Sequence, residues 1–286
     1  MSKSLALATL AATLLLTTIG LTAQQGAGAP PPNQNPGAEG GQQGGRGGRG
    51  APQGPPPTAQ MQAPFDMTGY WVSVVTEDWR WRMLTPAKGD YASVPLNAEG
   101  QRVAGTWDLD KDKAEGNLCR AFGAAGLLRL PLRIHVTWQD PNTLKLETDS
   151  GEQTRLFMFT PPAGGPGERT WQGRSVARWY KQQQLEGLGF GGRGGSLTGG
   201  NLRVTTTNMR AGYLRKNGVP YSEDAVLTEY FNRHDEPNGD QWITVTRVVE
   251  DPKYLMMPFI TSESFKKEAD ASKWHPTPCQ IDPPRQ

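Results

Sequence analysis

Arg133-Ile134-His135-Val136-Thr137-Trp138, then Gln139-Asp140-Pro141-Asn142, then Thr143-Leu144-Lys145-Leu146-Glu147-Thr148 is the stretch that decides the fold class. Both hexads alternate apolar with polar residues, the period of a strand that buries one face. Asp-Pro-Asn between them supplies turn chemistry, so the two runs pair as an antiparallel hairpin. Asp149-Ser150-Gly151 makes the next turn, and Thr154-Arg155-Leu156-Phe157-Met158-Phe159 follows as a third strand. A three-strand meander is therefore expected at the centre of the chain.

Outward from this meander, the same alternation recurs at Gly69 to Val75, Val176 to Tyr180, Leu202 to Asn208, Ala225 to Arg233 and Gln241 to Val249. The last two are joined through Asp235-Glu236-Pro237-Asn238-Gly239-Asp240, in which Asn-Gly is a strong hairpin signal. About eight or nine short strands without a long amphipathic helix predict an all-β chain closing into an antiparallel β-barrel over residues 65–286. Closure removes the exposed strand edges.

The 286 residues include 35 Gly and 24 Pro, with only 36% apolar side chains, so much of the chain is not core. Lys3 followed by the apolar run Leu5 to Leu21, with Ala23 before Gln24, reads as a signal peptide over residues 1–23 and predicts a periplasmic or secreted protein. No transmembrane segment is expected in the mature chain. Residues 24–64 carry almost no aliphatic side chains and read as a disordered Gly/Pro-rich linker. Gly44-Gly45-Arg46-Gly47-Gly48-Arg49-Gly50 has the look of an RNA-binding tail, but a net charge of +2 gives no drive toward nucleic acid, and none is expected as a partner.

Gly69-Tyr70-Trp71 is similar to the G-x-W signature that opens lipocalin-like barrels, in which the Trp closes the barrel floor. Five stretches of the second half, Gly173 to Trp179, Leu202 to Thr207, Gly218 to Ser222, Thr228 to Phe231 and Val249 to Phe259, resemble in order a family of exported bacterial β-proteins without established activity. Cys119-Arg120-Ala121-Phe122-Gly123 departs from that family's first motif by lacking its proline, and a glycine-rich insert separates Trp179 from Leu202.

Other motifs have structural readings. Gly173-Arg174-Ser175-Val176-Ala177 imitates a nucleophile elbow, yet Arg178-Trp179-Tyr180 continues as strand where that chemistry needs a helix. Gly187 to Gly192 satisfies a dinucleotide fingerprint only because the tract is glycine-rich; it reads as a mobile loop, with Phe190 folding over a barrel mouth as the lesser, functional alternative. Asp108, Asp110 and Asp112 begin like a calcium loop, but Lys113 stands where glycine is needed and Cys119 where the last acid belongs. His135, His234 and His275 have no metal-ligand spacing, so no metal and no cofactor are expected. Cys119 and Cys279, the only thiols of an exported chain, are expected to form a disulfide, the alternative being two free thiols.

Candidate ligand-binding residues are Trp71, Arg80, Trp81, His135, Arg155 and Glu229. Trp79-Arg80-Trp81-Arg82, read as a strand, puts both indoles on one face and both guanidiniums on the other, suiting an aromatic or carboxylate ligand. Glu229 falls on one face with Phe231 and is expected to form an interior ion pair with Arg155 or Arg247. Three functions remain open. The first is binding of a small, mostly apolar or aromatic molecule in a barrel cavity. The second is an isomerase, cyclase or hydrolase using a cavity His135 or Glu229 as acid or base. The third is a non-catalytic envelope interaction module, which a filled interior with an exposed apolar patch would favour.

Overall fold

The computed structural model describes residues 54–161, 163–165, 167–181 and 200–284. The expected signal peptide, most of the linker with its Gly/Arg element, and the Gly-rich loop carrying Phe190 lie outside the described residues.

Nine strands close into a barrel. In chain order they are β1 (Gly69–Val74), β2 (Arg133–Asp140), β3 (Thr143–Thr148), β4 (Thr154–Met158), β5 (Arg174–Lys181), β6 (Gly200–Thr207), β9 (Val226–Asp235), β10 (Gln241–Glu250) and β11 (Phe259–Lys267). Around the ring the order is β1-β11-β10-β9-β6-β5-β4-β3-β2. Two short strands, β7 (Gly212–Tyr213) and β8 (Pro220–Tyr221), form a separate antiparallel ribbon. The meander β2-β3-β4 and the hairpin β9-β10 have the expected pairing, with Trp138 opposite Leu144 and Gln241 opposite Asp235.

Four expectations are corrected. The barrel is mixed rather than wholly antiparallel, because β4 and β5 run parallel, with Phe157 opposite Ser175 and Met158 opposite Val176. Trp79 to Arg82 is a helical turn, α1 (Trp79–Arg82), so its four side chains fan around an axis instead of alternating. β11 has no counterpart among the expected strands, since its inward positions include Glu263 and its outward ones Ile260. Finally, the end of the expected linker belongs to the folded unit. Ala59 is buried, its N–H donates to Asn142 Oδ1 at 2.9 Å, and Gln60 N–H donates to Pro141 O at 3.0 Å.

Alternation fills the barrel. Trp71, Ile134, Val136, Leu146, Phe157, Leu202, Val204, Phe231, Ile243, Val245 and Phe265 all point inward and are sealed from solvent. One end, formed by the start of β1 and the turns β2-β3 and β9-β10, is crossed by residues 58–68; here Trp71 Nε1–H donates to Met67 O at 2.9 Å. The other end is covered by α1, α2 (Ala98–Ala104), α3 (Leu109–Ala114), a 3-10 turn at Leu118–Phe122, α4 (Ala124–Leu127) and the β7-β8 ribbon. Asn97 caps α2 by accepting from Gly100 N–H at 2.8 Å.

Cys119 and Cys279 are joined across 160 residues, with their Cα atoms 5.2 Å apart. The bond fixes a C-terminal tail that also exchanges backbone hydrogen bonds with the turn after β3: Thr277 N–H to Asp149 O and Gly151 N–H to Thr277 O, both 2.8 Å. Ile281 of this tail enters the main core.

Candidate functional site

The six candidate ligand residues are not gathered at one site. Trp71 lies in the sealed core, beneath the segment that crosses the barrel end. Arg155 and Glu229 form the expected interior pair, at 3.0 and 2.6 Å. Arg247 Nε–H adds a third bond to Glu229 at 3.3 Å, so both arginines offered as partners are used. Thr206 Oγ1 accepts from Arg155 at 3.1 Å and shares a 2.7 Å hydrogen bond with Ser175 Oγ, which makes Ser175 a buried strand residue rather than a nucleophile. Arg80 and Trp81 sit on α1 at the helical end. Arg80 is paired with Asp90, and its guanidinium lies 4.8 Å from the Trp81 ring.

His135 is on the outer wall. Its ring stacks on Tyr70 at 4.0 Å with 2° between planes, its Nδ1 is 3.5 Å from Glu147, and Trp274 of the tail closes edge-on at 6.0 Å. The wall therefore separates His135 from Glu229, and the acid-base pair that an enzyme reading needs is not assembled. Asp108, the first acid of the calcium-like run, caps α3 by accepting from Asp110 and Lys111 N–H. Among the described residues no cluster of three or more His, Cys, Asp or Glu could hold a metal.

The expected interior cavity is occupied by side chains, charges included. Arg247 Nη2 donates to Ala124 O and Ala125 O at 2.8 and 2.7 Å, tying the α4 cap to the barrel floor. Beyond it Arg129 bridges Glu263 at 3.1 Å and Asp78 at 2.9 Å, while Arg82 donates to Arg129 O and pairs with Glu77. Burial pushes the Glu263 carboxyl above its ordinary range, against the pull of Arg247 and Arg129. Arg215 is buried, its three guanidinium nitrogens without a hydrogen-bond partner among the described residues, 4.9 Å from the Trp81 ring. Desolvation, reinforced by Arg129, lowers it to about 10.

Open space lies elsewhere. A cleft of about 250 Å³ between α2, α3 and the β7-β8 ribbon has Trp107, Tyr213 and Tyr221 as walls and Asp112 with Arg120 as floor. Arg120 Nη1 donates to Asp112 Oδ1 at 3.2 Å and to Tyr213 Oη at 3.1 Å, and Tyr213 Oη donates to Asp112 at 3.3 Å. Four buried polar atoms of the cleft, Asp112 Oδ2, Arg120 Nε, Trp107 Nε1 and Tyr221 Oη, have no hydrogen-bond partner among the described residues. Burial raises the Asp112 carboxyl, lifts Tyr213 to about 12 and pushes Tyr221 up further. Gly218, at φ +79°, lets the ribbon's turn press on Trp107, since a Cβ there would come within 2.2 Å of the ring side chain.

Two recesses larger than this cleft lie at the opposite end of the barrel. About 400 Å³ opens between the apolar Phe65, Met67, Trp138, Leu144 and Trp179 and the polar Gln60, Asp66 and Thr68. A second recess of about 450 Å³ lies across the same crossing segment and shares Trp179, with Phe159 and Pro57 on its wall. Four aromatic rings converge here: Phe159 and Trp179 at 5.1 Å, Phe65 and Trp179 at 5.5 Å, Trp138 and Phe159 at 5.9 Å. Trp179 Nε1–H donates to Ala59 O at 2.8 Å, so the crossing segment is pinned by the ring it covers. Sequence reasoning placed Trp138, Phe159 and Trp179 on strands but could not bring them together with Phe65, because they come from β2, the residue after β4, β5 and the N-terminal crossing.

No protein-family model matches the chain, and no curated protein matches it.

Proposed function

We propose that this chain is an exported barrel protein that binds one small, mostly apolar or aromatic molecule at the aromatic end of the barrel, not in its middle. The observation that carries this reading is the convergence of Phe65, Trp138, Phe159 and Trp179 around recesses of about 400 and 450 Å³. Small-molecule sites run upward from roughly 300 Å³ and are mostly apolar. The Asp112 cleft, at about 250 Å³, falls below that range. The crossing segment acts as a clasp in this reading, held by three hydrogen bonds from Ala59, Gln60 and Trp179. Lifting it merges the two recesses.

Export is supported by the Leu5 to Leu21 run behind Lys3 and by the use of both cysteines in one disulfide. The five ordered motifs that resemble exported bacterial β-proteins, and the lipocalin-like Gly69-Tyr70-Trp71, belong to the same proposal. Catalysis has no comparable support, since His135 and Glu229 face opposite sides of the wall.

The test is titration with an anilinonaphthalene sulfonate probe, alongside native mass spectrometry of protein from its own host. Trp138→Ala is expected to weaken probe binding at least tenfold with the barrel's circular dichroism retained, about the loss of 1.4 kcal/mol. Asn142→Ala, which loosens the clasp, is expected to strengthen it. Equal affinities in all three proteins, or no probe binding by any, would sink the reading.

A further inference from the structure

The Asp112 cleft, too small for the apolar ligand of the other end, is built from parts that are held in place. Asp108 caps α3 through Asp110 and Lys111 N–H, Asn117 N–H donates to Asp112 O at 2.7 Å, and Arg120 N–H donates to Asn117 O at 3.0 Å. Cys119, next to Arg120, is fixed by its disulfide to Cys279. Trp107 is 6% exposed and Asp112 3%, whereas Lys111 and Glu115 of the same lining are exposed, so the cleft runs from solvent down to a buried floor.

Of its buried atoms without a partner, Asp112 Oδ2 is an acceptor, while Trp107 Nε1 and Arg120 Nε are donors. Such groups cost stability unless something meets them. Burial pushes the Asp112 carboxyl up, and Tyr213, Arg120 and the Trp107 indole pull it back. The indole N–H therefore stands beside the carboxylate, yet Nε1 and Oδ2 close no hydrogen bond. A hydroxyl set between them accepts from the indole and donates to the carboxylate at once. Tyr221 Oη is a different case. It presses on Gly123 and Gly212, where a Cβ would stand 2.1 and 2.6 Å from it, and so forms wall rather than contact point.

We infer that this cleft binds a single neutral sugar ring, one hydroxyl bridging Trp107 Nε1 and Asp112 Oδ2 and a second oxygen accepting from Arg120 Nε. Charge selects against the alternatives. The lining holds three carboxylates, Asp108, Asp112 and Glu115, against two cations, Lys111 and Arg120, so an anion would meet Asp112 Oδ2 in a site that is already short of positive charge. An ammonium ion would satisfy Asp112 and leave both donors unmet. A zwitterion would bring two full charges to a floor where Asp112 and Arg120 already pair at 3.2 Å, with the desolvation of both to offset. Hydroxyls supply donor and acceptor without charge. The walls fit the same class, because Trp107, Tyr213, Tyr221 and Tyr254 offer aromatic surface to the C–H face of a sugar ring, which a water cluster lacks. About 250 Å³ is small for a mostly apolar ligand and suits one hydroxylated ring. The inference does not rest on the aromatic recesses, which lie at the other end of the barrel.

Titration of the isotopically labelled full chain with glucose, galactose, mannose and arabinose tests it, read at the indole N–H signals for the site and by saturation transfer to the sugar protons for the affinity. The chain has nine tryptophans, and Trp107→Phe identifies the Trp107 signal while keeping a ring against Gly218. At least one of these sugars is expected to shift that signal saturably at millimolar concentration. Asp112→Asn keeps an oxygen for Arg120 but places an amide where Oδ2 stood, and is expected to weaken that sugar roughly tenfold or more. Trp107→Phe, which removes only the donor, is expected to weaken it several-fold with circular dichroism unchanged, and so keeps the test decisive should Asp112→Asn not fold. Trp138→Ala, at the aromatic end, is expected to bind the sugar as the parent does, so the two sites succeed or fail separately. No saturable shift with any of these sugars, the same shift with glycine or tetramethylammonium, full affinity in Trp107→Phe, or lost affinity in Trp138→Ala would overturn the inference.

Discussion

Arg155 grips the carboxylate of Glu229 with two guanidinium nitrogens, at 3.0 and 2.6 Å, in a barrel interior from which both side chains are sealed from water. Arg247 approaches the same carboxylate at 3.3 Å, so one anion serves two cations. Glu229→Gln should leave two buried guanidiniums without their counter-charge and destabilise the barrel by about 3–5 kcal/mol. Urea denaturation measures it; a loss under about 1 kcal/mol would mean that the arginines find other partners.

Reduction of Cys119–Cys279 should cost about 2–4 kcal/mol. The tail should loosen before the barrel melts, because what then remains are the Thr277 backbone bonds, Ile281 and the edge contact of Trp274 with Tyr70. Limited proteolysis with and without reductant would show new cleavage after Lys273. Thiol counting under denaturing conditions on exported protein gives the complementary result, zero free thiols before reduction.

Arg215→Met is expected to raise stability. An unsatisfied buried polar group costs about 1–3 kcal/mol, more when charged, and no nitrogen of the Arg215 guanidinium has a hydrogen-bond partner among the described residues. Its contact with the Trp81 ring returns roughly 0.5–2 kcal/mol. The balance favours the thioether by about 1 kcal/mol or more, readable as a higher melting temperature. A lower one would show that the guanidinium has a partner in solution.

The alkaline limb of stability should depend on Tyr213. Burial lifts its folded-state pKa from 10 to about 12. Between those values the unfolded chain loses the phenolic proton while the folded chain keeps it, so stability present below pH 10 is lost as pH rises toward 12. Arg215, lowered from its ordinary value to about 10, acts in the opposite sense over nearly the same window, and the comparison must be between proteins that share it. Tyr213→Phe should be less stable at neutral pH, having lost its bonds to Arg120 and Asp112, yet show a flatter decline above pH 10. Parallel curves for the two proteins would refute this account.

The meander was legible because its apolar residues keep strict period two and its turns use Asp-Pro-Asn and Asp-Ser-Gly. The Glu229 pair was legible for a related reason: its neighbours on the same face, Leu227 and Phe231, mark the position as inward. β11 was opaque because the cue reverses there, with Glu263 pointing inward and Ile260 outward, and only the surrounding arginines make that tolerable. Trp79-Arg80-Trp81-Arg82 is too short for alternation to distinguish strand from helical turn. The aromatic end depends on ring closure, which sets Trp138, Phe159 and Trp179 side by side although no local pattern links them.

A ring whose neighbours all run in opposite directions needs an even number of strands. With nine, at least one adjacent pair has to run the same way, and the chain meets that requirement between β4 and β5. The cost is a seam: two opposed residue pairs there, against four or more at every other junction of the ring. Thermal opening of the barrel should therefore begin as an unzipping at Phe157 and Met158, turning a closed cylinder into a curled nine-stranded sheet with β4 and β5 as its free edges. Those are the two edges where another chain could add a strand.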